Sequence, residues 1–330
     1  MTQPTRRALG LFAVATLIFA ACAGGATTSP TATPASQAST APTEAMSEAP
    51  TAPPSVAPTP VANVPTSELI TPGRLTVCSD IPYPPQEFFD DNGNPTGSDI
   101  DIGAEIARRM GLEEAVNNTV FDTIIAALQG NKCDIIISAQ NITPDRVKQV
   151  DMIPFFNAGQ SFVVAAGNPQ GINATTDLCG KTIGAETGTT EVDYLQGTGT
   201  YKSAGGLTQA CTKAGQPAIT TKEFDKDSDA LLALQAGKVD AYFADSPVAG
   251  YYTVQHSDQF SLSPIPPLQP ALEGISVQND SAHKDLVTGV QTALISMIND
   301  GTYTTILKKY GVDSSGITAD IAAKLNDVGQ

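Results

Sequence analysis

The sequence predicts an α/β protein of two similar lobes, each with a mainly parallel sheet flanked by helices. Short runs of β-forming residues alternate with runs of helical periodicity, which is the pattern of parallel sheets covered by helices. A group of residues also recurs along the chain at a constant spacing, which indicates two related halves. The first 66 residues differ in composition and predict segments outside this fold.

The first 22 residues predict an export signal. Arg6 and Arg7 precede a mostly apolar run over residues 8–19, and Ala20-Ala21-Cys22 follows. A run of about a dozen residues is too short for a membrane span, which needs roughly 20. Small residues before Cys22 resemble the lipobox of bacterial lipoproteins. This resemblance implies cleavage before Cys22 and lipid on its thiol, and an ordinary signal peptide with an incidental cysteine is the alternative.

Residues 23–66 predict a disordered linker. The segment consists almost wholly of Ala, Thr, Pro, Ser and Gly, with Glu44 and Glu48 as its only charges. Such a composition cannot bury enough apolar surface to fold. A flexible tether, a glycosylated stalk and a simple spacer all remain open.

The charge of the chain excludes several kinds of partner. A formal net charge of −16 repels phosphate backbones and anionic lipid heads. We therefore expect no nucleic acid, and contact with a membrane only through lipid on Cys22. The two histidines, His256 and His283, are far apart and show no metal-binding spacing, so no metal, cofactor or enzymatic activity is expected.

The folded elements follow from periodicity. Residues 75–78 and 135–137 are short apolar runs typical of buried strands. Helices are predicted by apolar residues at helical spacing around 102–110, 121–128 and 303–310, with Gly111 and Gly130 ending the first two.

An internal repeat at a spacing of 106 residues organises the fold. Leu128, Lys132 and Asp134 recur as Leu234, Lys238 and Asp240, although chance similarity between two helix–strand units is an alternative. In open α/β sheets, ligands bind beyond the carboxyl ends of strands. Two facing lobes would therefore place four equivalent positions around one cleft, namely Asp80, Ala139, Glu186 and Asp245.

Two segments fit the carboxylate of a zwitterion, whose ammonium group needs an acid such as aspartate. Residues 142–146 follow a strand and predict the start of a helix, one turn into which lies Arg146, a residue suited to binding a carboxylate. Residues 188–191 also follow a strand and predict a helix start whose N–H groups and hydroxyls bind an anion. A surface arginine and simple helix capping are the alternatives.

Four motifs together resemble the polar amino-acid-binding proteins of ABC importers. They are residues 74–85 (RLTVCSDIPYPP), 97–101 (GSDID), 142–146 (ITPDR) and 177–181 (DLCGK), and the resemblance runs from about 73 to 311. It implies a clamp of the type II periplasmic-binding-protein kind. The chain departs from the usual pattern at Ser98, where an aromatic residue is common, and before Pro154, where a serine is common.

The resemblance also implies roles for individual residues. Arg146 would hold the α-carboxylate, with Thr189 and Thr190 from the opposite lobe. Asp245 and the Ala139 carbonyl would take the α-ammonium, and Asn141 would add a hydrogen bond. The ligand side chain would lie near the remaining three, Asp80 at its variable end and Tyr83 and Phe121 on its two sides. Phe121 also begins a helical apolar stripe, so packing in the core is its alternative role.

Lobe 1 is expected to comprise 67–159 and 267–330, and lobe 2 to comprise 160–266, with hinges near Gly159 and Pro267. The resemblance implies an extracytoplasmic monomer that captures an amino acid by closure and passes it to ABC permease subunits. A dehydratase-like enzyme using Glu87 or Glu186 and a ligand sensor on the same fold are the alternatives.

Four cysteines remain besides Cys22, an even set in an exported chain. Pairing of Cys179 with Cys211 is implied by the family resemblance. If Asp80 and Ala139 end neighbouring extended strands at the same level, the α-carbons of Cys78 and Cys133 lie about 13 Å apart, beyond the roughly 4.4 to 6.8 Å of a disulfide. We therefore expect two buried thiols there, unless the strand register is different.

Overall fold

A computed structural model describes residues 61–328 of the chain. The predicted signal peptide, the lipidation site at Cys22 and the linker up to residue 60 lie outside the described residues. No helix within 61–328 has both the length and the apolar character that crossing a bilayer requires.

Strands and helices alternate along most of the described chain. The strands are β1 (Arg74–Ser79), β2 (Phe88–Phe89), β3 (Pro95–Thr96), β4 (Glu113–Asn118), β5 (Ile135–Ile136), β6 (Val150–Ala165), β7 (Thr182–Glu186), β8 (Thr220–Phe224), β9 (Ala241–Asp245), β10 (Phe260–Leu262) and β11 (Leu268–Gln278). The helices are α1 (Ser98–Arg109), α2 (Ile124–Gln129), α3 (Thr190–Gln196), α4 (Leu207–Lys213), α5 (Asp227–Gln235), α6 (Ser246–Gln255), α7 (Lys284–Asp300), α8 (Thr302–Lys309) and α9 (Ala319–Ala322).

The main sheet contains two parallel groups joined by antiparallel strands. Its order is β4-β1-β5-β11-β6-β9-β7-β8, with β10 also paired to β6. Strand β1 is parallel to β4 and β5, and β7 is parallel to β8 and β9. The long strands β6 and β11 pair antiparallel with each other between the two groups. The prediction of parallel sheets is thus confirmed for the outer strands of each lobe, whereas the strands that join the lobes are antiparallel.

Each lobe buries apolar residues on both faces of its part of the sheet. Val77 and Ile135 belong to one core cluster, and their neighbours Cys78 and Ile136 belong to another. Successive side chains of a strand point to opposite faces, so helices must cover both. Two further core clusters, drawn from residues 162–265, contain the buried apolar residues of the second lobe. The two-lobed α/β fold predicted from the sequence is confirmed.

The two lobes repeat their strand register at the spacing found in the sequence. Val77 pairs with Ile135, and the residues 106 positions later, Ile183 and Ala241, also pair. An aspartate recurs with the same role. Asp134 accepts hydrogen bonds from the Thr76 and Ile70 N–H groups at 2.7 Å, and Asp240 accepts one from Thr182 at 2.8 Å. The repeat therefore reflects shared structure rather than chance similarity.

The segment before Arg146 forms no helix, contrary to the prediction. Residues 144–149 form consecutive turns, and β6 begins at Val150. Two bonds have helical spacing, from the Val147 N–H to the Thr143 carbonyl and from the Val150 N–H to the Arg146 carbonyl, each 3.0 Å. The chain enters β6 too soon after Pro144 for further bonds of helical spacing to form, so the turns do not develop into a helix.

Two disulfides are present, and one of them contradicts our expectation. Cys179 and Cys211 are bonded as the resemblance implied, with α-carbons 5.5 Å apart. Cys78 and Cys133 are also bonded, with α-carbons 5.6 Å apart, so the expectation of two thiols was wrong. Cys78 pairs with Ile136 rather than Ile137, and β5 begins only at Ile135. Cys133 therefore lies in the bend after α2, where the chain turns back towards β1.

Candidate ligand-binding cleft

A pocket between the two lobes lies at the carboxyl ends of the parallel strands. About 320 Å³ of space lies between its lining atoms, including space that is open to solvent. All nine residues predicted to bind ligand line it, together with Glu87, Ser138, Glu186 and Glu191. The predicted site residues are therefore brought together, six of them from the range expected for the first lobe and three from the range expected for the second. The full lining is Asp80, Tyr83, Glu87, Phe121, Ser138, Ala139, Asn141, Arg146, Glu186, Thr189, Thr190, Glu191 and Asp245.

Arg146 crosses the cleft from the first lobe to the second. One guanidinium nitrogen donates to the Asn141 carbonyl at 2.9 Å, and the other donates to the Gly188 carbonyl at 3.0 Å. The guanidinium carbon also lies 5.3 Å from the centre of the Phe121 ring, within cation–π range. Phe121 is half-buried and lies outside the core clusters, so the alternative role in core packing does not apply. These contacts hold the guanidinium at one end of the pocket.

Thr189 and Thr190 face Arg146 from the second lobe. Thr189 is the N-cap of α3, where its hydroxyl accepts from the Val192 N–H at 3.5 Å and donates to the Glu186 carbonyl at 2.7 Å. The Thr190 hydroxyl donates to the Asn141 side-chain oxygen at 2.5 Å across the cleft. Capping is thus one observed role of Thr189, and it leaves both threonines on the pocket wall.

Tyr83 and Asp245 form a second link between the lobes. The Tyr83 hydroxyl donates to one carboxylate oxygen of Asp245 and accepts from the Asp245 N–H, both at 3.0 Å. The other carboxylate oxygen of Asp245 is buried and has no hydrogen-bond partner within residues 61–328. Burial, and secondarily the charge of Glu191, raises the pKa of Asp245 well above its usual value. This oxygen can accept a bond from a donor such as an ammonium group, whose positive charge would stabilise the ionised carboxylate.

Asp80 and Glu186 lie near the other end of the pocket and have equivalent roles in the repeat. Asp80 accepts a hydrogen bond from the Phe121 N–H at 2.7 Å, and Glu186 accepts one from the Asp227 N–H at 3.2 Å. The acceptors Asp80 and Glu186 are 106 residues apart, and so are the donors Phe121 and Asp227. Each carboxylate therefore contacts the start of the helical segment that packs on its own lobe, which fixes its position at the cleft.

A group of acids surrounds this end with little neutralising charge. Burial raises the pKa of Glu186 to about 10, with the Asp227 and Asp80 carboxylates adding to the shift. Burial also raises the pKa of Asp227 to about 8, and Asp227 accepts a hydrogen bond from the Tyr242 hydroxyl. Lys226 lies 3.7 Å from Asp80 and donates to the Ile81 carbonyl at 3.2 Å. These shifts keep Glu186 and Asp227 protonated near pH 7 in the empty protein, and a ligand cation at this end would favour their ionised forms.

The floor of the pocket is formed by the chain that follows β5. The Ser138 hydroxyl accepts from the Asp80 N–H at 2.9 Å and donates to Glu87 at 2.8 Å. Ala139 has a φ of 43°, a conformation that non-glycine residues rarely adopt, and its N–H donates to Asp99 at 3.0 Å. The buried carboxylate of Asp99 thereby fixes the strained peptide unit at the pocket.

Sequence reasoning missed two charged residues of the cleft. Glu191 was considered only as part of a helix start, and Lys226 was not singled out. Glu191 follows the predicted Thr190 but has no motif of its own, and Lys226 approaches Asp80 only because the lobes face each other. Glu186, in contrast, could be found from the sequence, since it occupies the position of Asp80 in the repeat.

Comparison with known families assigns the folded region of the chain to a family. Residues 75–313 match the model of the bacterial extracellular solute-binding proteins, family 3. The chain belongs to this family. Its pocket between two lobes is the feature that a solute-binding protein requires, since both lobes can contact one small molecule.

Curated relatives of this solute-binding protein are amino-acid-binding proteins. ABC transporter arginine-binding protein 1 of Escherichia coli (strain K12) is 29% identical over 225 residues, covering 67% of this chain and 84% of that protein. The L-cystine-binding protein TcyJ of the same strain is 24% identical over 243 residues, covering 73% and 84%.

Solved structures of similar proteins include liganded and engineered forms. An ancestral arginine-binding protein bound to arginine is 33% identical, with a TM-score of 0.62 over 72% of this chain and 98% of that one. A similar ancestral protein bound to glutamine is 34% identical, with a TM-score of 0.62 over 73% and 98%. The ancestral amino acid-binding protein AncCDT-1, a precursor of cyclohexadienyl dehydratase, is 29% identical, with a TM-score of 0.60 over 72% and 95%. The family and these neighbours are binding proteins.

Proposed function

We propose that the cleft binds a cationic amino acid, with arginine as the ligand that fits best, and delivers it to the permease of an ABC importer. The observation that carries this proposal is the charge pattern of one pocket. All four residues line the pocket: Arg146 acts electrostatically on Asp245, whereas Asp80 and Glu186 act on each other, so the lining holds two distinct charged groups. An amino acid with a cationic side chain has the complementary order of charges.

Arg146 would hold the ligand α-carboxylate as a fork. A guanidinium presents two parallel N–H donors to a carboxylate, and its planar geometry suits this role better than a lysine. The bonds of Arg146 to the Asn141 and Gly188 carbonyls position it without supplying a competing charge. To donate to the carboxylate from the second lobe, the hydroxyls of Thr189 and Thr190 would turn away from the Glu186 carbonyl and the Asn141 side-chain oxygen.

The ligand α-ammonium would bind at Asp245. Its unpartnered carboxylate oxygen supplies the acceptor, and its 3% exposure strengthens the attraction by excluding water. The Ala139 carbonyl, directed by the positive φ of that residue, would supply a second acceptor. Asn141 would complete the set with its side-chain amide.

The ligand side chain would extend between Tyr83 and Phe121 towards Asp80 and Glu186. The two rings would cover its apolar part, and the carboxyl groups would face its charged end. A guanidinium can donate to two carboxyl groups at once, which is why we place arginine first among cationic amino acids. The relatives described above as arginine-binding proteins support this order.

Closure of the lobes would convert binding into a signal for the permease. We propose that lobe 1 comprises 67–159 and 267–330 and that lobe 2 comprises 160–266. The hinge would lie where β6 passes Pro267, because a Cβ at Gly159 would lie only 3.0 Å from the Cβ of Pro267. A ligand held by both lobes would bind the closed state more tightly than the open state. This difference in affinity would shift the equilibrium towards the closed state.

The remaining part of the proposal concerns location. Residues 1–22 would be a lipoprotein signal peptide, lipid on Cys22 would anchor an extracytoplasmic monomer, and residues 23–66 would tether it. Mass spectrometry of the membrane-bound protein tests the anchor. An unmodified Cys22 would contradict it without affecting the ligand proposal.

Isothermal titration calorimetry of the purified chain against the common amino acids tests the ligand proposal. We expect arginine to bind most tightly, with lysine, histidine and glutamine weaker. Tightest binding of an acidic or purely aliphatic amino acid would contradict the assignment of Asp80 and Glu186.

NMR of the same samples over hours tests the dehydratase alternative. Glu186 could act as a general acid in such an enzyme, because its raised pKa keeps the carboxyl group protonated near neutral pH. Unchanged spectra are expected.

A further inference from the structure

We propose that Glu191 takes up a proton when an amino acid enters the cleft, and that it thereby couples affinity for the ligand's α-carboxylate to pH. This inference rests on the amino-acid ligand proposed above. It concerns a residue to which neither the sequence motifs nor the expected ligand contacts give a role.

Glu191 lies at the carboxylate end of the pocket. It is the second residue of α3, its exposure is 3%, and it lines the pocket with Arg146, Thr189 and Thr190. One oxygen of its carboxylate lies 3.4 Å from the Thr190 hydroxyl. The other oxygen is buried and has no hydrogen-bond partner within residues 61–328. A buried acid with an unpartnered oxygen thus lies beside the group that would hold the ligand carboxylate.

The charges at this end do not balance if Glu191 is ionised. Arg146 and the ligand ammonium are positive, whereas Asp245, Glu191 and the ligand carboxylate are negative. A buried excess of negative charge is costly in a medium of low dielectric constant. Protonation of one carboxylate removes the excess, since two positive and two negative charges then remain.

Glu191 is the carboxylate that should accept this proton. The ligand ammonium would stabilise the ionised form of Asp245, and the cationic side chain would do the same for Asp80 and Glu186. Glu191 would instead gain a like charge, the ligand carboxylate. Once protonated, its hydroxyl can donate a hydrogen bond to that carboxylate, which replaces repulsion with attraction. The other titratable groups that influence or are influenced by Glu191 are Tyr83, Arg146, Tyr201, Asp227, Asp245 and Glu273.

The pH range of the expected effect follows from the pKa of Glu191 in the free protein. Burial raises the pKa of Glu191 to about 7, against the opposing effects of its own N–H and of Arg146. The ligand carboxylate would raise this pKa further in the complex. Below about pH 7 Glu191 is already protonated, so its protonation adds no free-energy cost to ligand binding. Above about pH 7 Glu191 is ionised, so each binding event must include the uptake of a proton from solvent. Affinity for the amino acid should therefore fall as pH rises above about 7.

The experiment compares two ligands with two proteins at pH 8. Calorimetry in buffers of different ionisation enthalpy gives the number of protons exchanged on binding. Arginine and agmatine, which is arginine without its carboxylate, serve as ligands for the wild type and for Glu191→Gln. We expect the wild type to take up about one proton more with arginine than with agmatine, and Glu191→Gln to remove this difference. The variant should also bind arginine about tenfold more tightly than the wild type at pH 8, but with similar affinity at pH 6.

Glu114→Gln is the matched control. Glu114 lies on β4, outside the pocket, and burial raises its pKa to about 8, so it also titrates near neutral pH. This variant should keep the wild-type difference between the ligands. Equal proton exchange with arginine and agmatine in the wild type would overturn the inference, even if Glu191→Gln failed to fold. An arginine-specific uptake that persists in Glu191→Gln would also overturn it while leaving the proposed function intact. If no amino acid binds at any pH, the proposed function fails and this inference fails with it.

Discussion

The Lys226 ammonium lies 3.7 Å from a carboxylate oxygen of Asp80, so a cation of one lobe reaches the acid proposed to receive the ligand side chain from the other. A cationic ligand would compete with Lys226 for this acid. Lys226 is 37% exposed on its side chain, so water screens part of the attraction. The pair therefore adjusts the affinity for ligand rather than closing the site.

Lys226→Met should strengthen arginine binding by up to about fivefold, because a partly exposed ion pair is worth up to about 1 kcal/mol. Calorimetry at low and high salt checks this, and the gain should shrink at high salt. Lys222→Met is the control, since Lys222 is exposed on the neighbouring strand β8 and lies outside the pocket. Weaker binding by Lys226→Met would show that its bond to the Ile81 carbonyl matters more than its competition for Asp80.

Arg146→Ala should cost about 2 to 5 kcal/mol of binding free energy, because it leaves the ligand carboxylate unpaired in a dry site. Arg146→Lys should lie between the wild type and Arg146→Ala, since lysine keeps the charge and loses the fork. Calorimetry measures both. Arg74→Ala, at an exposed position that begins β1, should bind normally. Unchanged affinity in Arg146→Ala would remove this residue from the binding set.

Asp134→Ala should lower the free energy of unfolding by about 3 kcal/mol or more. Its carboxylate accepts two backbone N–H bonds at 2.7 Å, and a bond to a charged group is worth roughly 1.5 to 3 kcal/mol. Asp240→Ala, which removes the equivalent single bond to Thr182, should cost about half as much. Urea unfolding tests the pair, with exposed Asp258→Ala as a neutral control. Equal losses would show that the second bond of Asp134 contributes little.

Removing either disulfide should destabilise the protein by about 4 kcal/mol in the chain-entropy model. The loops they close differ only modestly, at 55 residues for Cys78–Cys133 and 32 for Cys179–Cys211. Thermal unfolding of the Cys78→Ala/Cys133→Val and Cys179→Ala/Cys211→Ala double variants measures the loss. Valine is chosen for position 133 because Val239 occupies the equivalent position in the other lobe. A loss near zero in the first variant would show that the Cys78–Cys133 bond contributes little to stability beyond packing at that site.

The sequence predicted the parts of the fold that depend on local pattern. Apolar spacing around Tyr303 placed a helix where α8 forms, and the apolar run at Leu75 placed β1. The repeat predicted more, because it aligned Asp80 with Glu186 and Ala139 with Asp245 before any contact was known. The family resemblance then supplied Arg146, Thr190 and the other residues that line the pocket.

Prediction from the sequence failed where the path of the chain between strands and helices determines the structure. The disulfide of Cys133 depends on the bend before β5, which a straight-strand estimate cannot represent. The missing helix at Arg146 depends on where β6 begins. Lys226 approaches Asp80 only because the two lobes face each other, and Glu191, although it follows the predicted Thr190, has no motif of its own that indicates a buried acid.

The strands that join the lobes have a mechanical consequence. β6 continues through both halves of the sheet, and β11 runs beside it with interruptions of register between Leu268 and Ala271 and between Glu273 and Gly274. A slack loop exerts almost no restoring force, whereas a paired ribbon resists bending and recovers its shape. Each irregularity lets the ribbon twist locally without losing the ladder. The empty protein should therefore return to a preferred angle between its lobes, and the ligand must work against that stiffness.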